Sequence, residues 1–188
     1  MMQKPNVVQI VVDDMGFGDI EYYNYGLTET PHIDSLIRDG IELTNHYSGS
    51  AICSPARASL LTGRYPHRTG VIDTMAVGGL DRMSLREKTV AEYFKAGGYA
   101  TGLMGKWHCG AGGDYNPHNR GFDHAWWFSG TVKSYFDWDG EVRRKDQPET
   151  SGGRYLTDAI TDEAIDFVEQ NSDQPFFLHL AHFAPHGP

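Results

Sequence analysis

Asn6-Val7-Val8-Gln9-Ile10-Val11-Val12, running straight into Asp13-Asp14-Met15-Gly16-Phe17-Gly18-Asp19, is the stretch that decides the fold. The first seven residues are mostly β-branched and almost continuously apolar, the pattern of a central strand buried on both faces. Two acids and two glycines then end the strand and open a loop, in which Asp19 reads as a turn residue. Three further runs have strand character: residues 41–47, 99–104 and 175–181.

Helical signals lie between these runs. Thr30-Pro31 is an N-cap with proline at the first helical position, Ile33, Leu36 and Ile37 have one-face spacing, and Gly40 is a fitting stop. Ser54-Pro55 reads as a second cap and first turn, with the helix ending near Gly63. Thr89-Val90-Ala91-Glu92 is a capping box, Val90, Tyr93 and Phe94 are expected to face inward, and Gly97-Gly98 closes that helix. The clearest helix covers residues 155–171, where Leu156, Ile160, Ala164, Phe167 and Val168 form one stripe opposite acidic residues. Residues 110–153 lack periodicity and read as a long excursion rich in glycine, aspartate and aromatics.

Strands alternating with helices predict an α/β fold with a largely parallel sheet flanked by helices. Ligands of such sheets bind outside the carboxyl ends of the strands. Four expected strand ends deliver polar chemistry to that rim: Asp13 and Asp14, the segment from Cys53 to Arg57, Lys106 with His108, and His186.

Composition narrows the classes. The 188 residues carry 16 Lys plus Arg against 25 Asp plus Glu, a formal charge of -9. Nucleic acid and anionic membranes are poor partners for such a chain, so an anionic ligand must be met by local positive charge. At 39% hydrophobic and 12% aromatic residues, the chain can build a core and is not globally disordered. Two cysteines, Cys53 and Cys109, make no disulfide scaffold. No run reaches membrane-span length. Residues 1–5 carry no apolar signal region, so the sequence as it stands reads as cytoplasmic, or as periplasmic or secreted if its N-terminus is incomplete.

Adjacent carboxylates at a strand end suit a hard divalent cation; the plainer alternative is a turn cap. Cys53-Ser54-Pro55-Ala56-Arg57 places a thiol at a helix start, where free amides and the helix dipole favour a tetrahedral anion and Arg57 adds a bidentate donor. Lys106 and His108, after a glycine, offer a fixed cation and a proton carrier, against the alternative of an exposed lysine and a structural histidine. His186, between Pro185 and Gly187-Pro188, would alone be an ordinary loop histidine. The aromatics from Phe122 to Trp138 could stack on a sugar or aryl group, or form the core of a subdomain.

These residues carry a family resemblance. Ala51-Ile52-Cys53-Ser54-Pro55-Ala56-Arg57-Ala58-Ser59-Leu60-Leu61-Thr62-Gly63 resembles the signature of the type I, formylglycine-dependent sulfatases, the arylsulfatase-like branch of the alkaline phosphatase superfamily. The segment from Gly98 to His108 resembles the second signature, with Met104 bulkier than usual; Asp13 to Asp19 resembles the opening metal motif and Pro185-His186-Gly187-Pro188 the later histidine motif.

The resemblance implies an alkaline phosphatase-like fold and a sulfuric ester hydrolase. Cys53 would be converted to formylglycine by a maturation enzyme that reads Cys53-x-Pro55-x-Arg57, and its hydrate would be the nucleophile. Asp13, Asp14 and the modified Cys53 would ligate Ca2+ (or Mg2+). Arg57 would hold the formylglycine, Lys106 would bind sulfate, His108 would assist release of sulfate, and His186 would protonate the leaving alcohol. The substrate would be an aryl or carbohydrate sulfate ester. The family completes its metal site with an Asp-Asn pair, and its sulfate clamp with another Lys, beyond the histidine motif. Residues 1–188 are therefore expected to be the N-terminal part of a sulfatase catalytic domain, without its C-terminal part and smaller subdomain, and inactive or nearly so alone. Rival readings are a phosphodiesterase or phosphonate monoester hydrolase of the same superfamily, an inactive metal- or glycan-binding fragment, and a thiol redox protein, the last disfavoured by the lack of a C-x-x-C motif.

Overall fold

The computed structural model describes residues 4–188, the side chain of Val77 apart. In chain order the principal elements are β1 (Val7–Asp13), α1 (Glu21–Asn24), α2 (Pro31–Asp39), α3 (Cys53–Thr62), α4 (Pro66–Thr69), α5 (Val90–Ala96), β2 (Ala100–Lys106), β3 (His124–Phe128), β4 (Arg143–Arg144), β5 (Gln147–Pro148), α6 (Leu156–Gln170) and β6 (Phe176–Pro185). The strands form one sheet in the order β1-β6-β2-β3-β4-β5. The pairs β1–β6, β6–β2 and β2–β3 are parallel, and the small β4–β5 hairpin adds on antiparallel. The expected largely parallel, helix-flanked sheet is present.

Strand alternation sends neighbouring residues to opposite faces. Leu103, Trp127 and Phe177 pack with Ala58 and Leu61 of α3 and Ala91 of α5. Met104, Trp126, Leu178 and Leu180 pack with Leu156, Ile160 and Phe167 of α6. Burying each such large apolar side chain is worth roughly 1.5–3 kcal/mol, which explains why the α6 stripe was readable from spacing. The α5 capping box also forms: Glu92 N–H donates to Thr89 Oγ1 at 3.2 Å, and Thr89 N–H donates to Glu92 Oε2 at 2.8 Å.

Two glycines of β2 let its neighbours approach. A Cβ at Gly102 would lie 2.8 Å from Phe167 of α6. Gly105 has φ +109°, and a Cβ there would lie 2.0 Å from the Ala181 carbonyl oxygen on β6.

Several local expectations fail. β1 is an edge strand with an alternating exposure pattern, not a central strand buried on both faces. Its solvent-side residues are Val8, Ile10 and Val12, because α6 covers β6, β2 and β3 but does not reach β1. Residues 41–47 are not a strand, and Ile41 and Leu43 stay exposed. The segment from Cys53 to Arg57 therefore reaches the rim on the first turns of α3, not at a strand end. Ser54 is inside α3, whose N-cap is Ile52. Tyr93 is exposed, and Ala91 takes the buried position on α5. The excursion supplies β3, β4 and β5, with Trp126, Trp127, Phe128 and Trp138 all buried in the core. No helix among the described residues is long and apolar enough to cross a membrane.

Candidate active site

The carboxyl ends of β1, β6, β2 and β3 lie side by side, and the N-terminus of α3 is laid against them. β1 ends at Asp13, where the register with β6 jumps from Val12–His182 to Asp13–Pro185. Bulges of this kind re-aim side chains at functional rims. Here the extra β6 residues include Phe183, whose ring lies under the Lys106 ammonium, 5.4 Å from Nζ to the ring centre.

Three of the expected residues meet directly. Asp13 Oδ1 pairs with Arg57 Nη2 at 3.1 Å, and Asp13 Oδ2 pairs with Lys106 Nζ at 2.6 Å. Arg57 Nη1 also donates to the Lys106 carbonyl oxygen at 3.1 Å. All three side chains are buried, Lys106 completely. Burial alone would raise the Asp13 carboxyl, but the Arg57 and Lys106 cations outweigh it and hold the group below the usual carboxylate range. Two cations around one carboxylate leave a net positive centre in an acidic chain. Lys106 is the last residue of β2, not an exposed turn residue.

Cys53 opens α3 one helical turn before Arg57 and is partly exposed. Ser54 locks this helix start to the next element by donating its hydroxyl to the His108 carbonyl oxygen. His108 has a left-handed φ of 49° and is buried. Its Nε2 lies 3.4 Å from the Thr74 carbonyl oxygen, and its Nδ1 has no partner among the described residues. Burial pushes its imidazole down to about 4, with the Lys106 cation acting in the same direction, so it is uncharged at neutral pH. Gly130 packs on the ring; a Cβ there would lie 2.9 Å from Nε2.

His186 and Asp14 form a second pair, with Nε2 3.7 Å from Asp14 Oδ2. The His186 ring stacks on Phe183 at 4.8 Å, and its carbonyl oxygen accepts from the Tyr135 hydroxyl at 2.8 Å. Phe183, Thr74 and Gly130 thus position the site without having been singled out from sequence, and Tyr135, read there as an aromatic for stacking or for a core, acts through its hydroxyl. Phe183 was hidden in an apolar run, and Thr74 and Gly130 lie in aperiodic loops. Cys109 is fully buried with its thiol pushed up to about 12 by burial, which suits a core residue and not a reactive thiolate.

Asp13 and Asp14 are oxygen donors, the right kind for a hard divalent ion, which takes six to eight oxygens in the case of Ca2+. In number they fall short. No three His, Cys, Asp or Glu residues gather as a metal cluster among the described residues, and both Asp13 oxygens are engaged by cations.

The sulfatase family profile matches residues 5–188, and the chain belongs to the sulfatase family. It is 35% identical over 205 residues to an arylsulfatase of Hemicentrotus pulcherrimus, covering 95% of this chain and 36% of that protein. It is 33% identical over 215 residues to the Homo sapiens N-acetylgalactosamine-6-sulfatase, covering 99% of this chain and 40% of that protein. Among solved structures, Ps i-CgsB superposes with a TM-score of 0.89 at 33% identity, over 99% of this chain and 46% of that one. The same protein has been solved with k-i-k-neocarrahexaose. The chain thus spans less than half the length of these relatives.

Proposed function

We propose that this chain carries the sulfate-transfer face of a sulfuric ester hydrolase, with Cys53, as formylglycine, at the reacting centre. The observation that supports this best is the buried Asp13–Arg57–Lys106 cluster beside a partly exposed cysteine that opens a ten-residue helix. A sulfate monoester develops negative charge on its sulfuryl oxygens and on the leaving oxygen as the ester bond breaks. Pre-placed cations and helix-end dipoles lower the barrier only if they need not reorganise during the reaction. Arg57 and Lys106 meet that condition, since burial and Asp13 fix both.

Cys53, converted to formylglycine and hydrated, would supply a hydroxyl nucleophile for sulfur and a second hydroxyl whose deprotonation would let sulfate leave. His108, neutral and with Nδ1 unpaired, is suited to take up a proton there. His186, braced by Phe183 and Tyr135, is the candidate to deliver a proton to the leaving alcohol. Asp13 and Asp14, with the modified Cys53, would hold a Ca2+ or Mg2+ ion, which would add positive charge at the sulfuryl oxygens. The partners of this reading are a formylglycine-generating maturation enzyme and an aryl or carbohydrate sulfate ester.

Co-expression with a formylglycine-generating enzyme should convert the Cys53 side chain from CH2SH to CHO, read by peptide mass spectrometry, while Cys53→Ala stays unmodified. Because two carboxylates are too few for a tight hard-cation site, the 188-residue chain should turn over an aryl sulfate with Ca2+ only slowly. Loss of one charge-stabilising group typically costs a hundredfold or more. Preferential cleavage of a phosphate diester in a paired assay would overturn the sulfatase reading.

A further inference from the structure

We propose that a cavity beside the His108 turn is a subsite for a neutral sugar ring of the substrate, read through its hydroxyl groups by Glu141 and Arg143. The proposal rests on the sulfatase reading above and narrows its substrate class from any sulfate ester to a carbohydrate sulfate.

The cavity measures about 330 Å³ and is lined by Gly112, Trp127, Ser129, Thr131, Glu141 and Arg143, among others. That volume is at the small end of the roughly 300–1,000 Å³ typical of ligand sites, room for about one ring. It shares two walls with the candidate active site. The His108 N–H donates to the Ser129 carbonyl oxygen at 2.6 Å. Gly130, between the lining residues Ser129 and Thr131, is packed on the His108 ring. The third wall, at Gly112, lies four residues beyond His108 in the same loop. A ligand bound here is thus separated from the reacting centre by little more than the His108 turn.

The polar groups point to hydroxyls and not to a further sulfate. Arg143 makes no ion pair and no side-chain hydrogen bond to the described residues, whereas its neighbour Arg144 is held by Glu149 and Glu163. The Arg143 backbone is pinned in β4, paired with Trp127 and Pro148, and its side chain is exposed at the cavity. Glu141 stands in the same cavity; its Oε2 accepts from the Lys133 N–H at 2.7 Å, which anchors the carboxylate and leaves Oε1 available. One guanidinium and one carboxylate give no net charge. Together with the Ser129 and Thr131 hydroxyls they provide the donors and acceptors that vicinal hydroxyl groups require. A second sulfate would meet Glu141 and be repelled, and an aryl ring would offer neither charge a hydrogen-bond partner.

The test uses the 188-residue chain. Saturation-transfer NMR would survey the methyl glycosides of glucose, galactose, N-acetylglucosamine and N-acetylgalactosamine, and the best binder would be titrated. Glu141→Gln keeps the acceptor for Lys133 N–H while removing the charge, and Arg143→Gln leaves the β4 backbone pairing in place. Each variant should weaken glycoside binding about tenfold or more, with thermal unfolding unchanged. Inorganic sulfate, titrated in parallel against Lys106→Met, reports on the sulfate site separately. Failure of all four glycosides to bind, or unaltered affinity in both variants, overturns the subsite. Glycoside binding without any sulfate binding would leave the subsite standing and count against the sulfatase reading.

Discussion

Asp13 is the residue on which the rim depends. It is the counter-charge of two buried cations, so neutralising it leaves Arg57 and Lys106 unpaired in a desolvated place. Removing one partner of a buried ion pair typically costs about 3–5 kcal/mol. Asp13→Asn should therefore destabilise the chain by about that amount in urea unfolding, and a change below 1 kcal/mol would show that the cluster is hydrated. The histidines set the acid limit. Burial takes His108 down to about 4 and His179 down to about 3, from an ordinary 6.5. As pH falls below 6.5 the unfolded chain binds protons that the folded chain refuses. Their contribution is complete above pH 6.5 and is lost as pH falls towards 4 and then 3. Asp13 acts lower, its contribution being present above its ordinary value of 3.8 and lost as pH falls through its depressed folded value. Unfolding at pH 4.5 should thus require about 2–3 kcal/mol less per histidine than at pH 7, two units of difference at about 1.4 kcal/mol each. His179→Gln, which can still meet Gln9, should remove about half of that dependence. A stability profile flat from pH 7 to 4.5 would refute the assignment.

At the scale of elements, β2 carries most of the burden. It joins the two halves of the sheet, pairs with β3 and β6, and ends on Lys106. Its glycines are what permit the close approach. Gly105→Ala would place a Cβ 2.0 Å from a β6 carbonyl oxygen at a φ of +109°. Strain and overpacking together should cost roughly 3 kcal/mol or more. Because Lys106 is the next residue, the same substitution should displace the ammonium from Asp13. Thermal unfolding and sulfate affinity measured on one sample should therefore fall together; a stable variant with normal affinity would show that β2 and β6 can separate without consequence. The α3 helix works by a different device. It is not held by an N-cap side chain but by the Ser54 hydroxyl on the His108 carbonyl oxygen, which ties the cysteine-bearing turn to the histidine-bearing one.

For the whole molecule, the uneven covering of the sheet has a physical cost. Val8, Ile10 and Val12 are 48%, 54% and 37% exposed along the outer strand β1. An apolar edge strand with unpaired backbone groups is a template for association with another copy. Ile10→Lys should raise the concentration at which the chain stays monodisperse in light scattering, with stability changed by no more than about 0.5 kcal/mol, as for other exposed positions. If scattering is unaffected, β1 is not the aggregating surface.

The sequence by itself determined the fold class, the α6 stripe and the α5 cap, and it named Asp13, Asp14, Cys53, Arg57, Lys106, His108 and His186 as candidates for the site. Periodicity and capping act over a few residues, and the signature motifs are contiguous, so both were legible along the chain. Only the tertiary structure decided which of those residues touch. Asp13 is 44 residues from Arg57 and 93 from Lys106, and nothing local encodes an ion pair across such separations. The same holds for β1. Its composition states that the strand is apolar, but which elements cover it depends on sheet order, and here α6 stops short. The irregular residues 41–47 fail for the complementary reason: strand character is realised only through pairing, which a run of residues does not encode by itself. Phe183, Thr74 and Gly130 were invisible because their role is to pack against His186, Lys106 or His108, and packing partners are chosen by the fold; Tyr135 was visible as an aromatic, but its hydrogen bond to His186 was not.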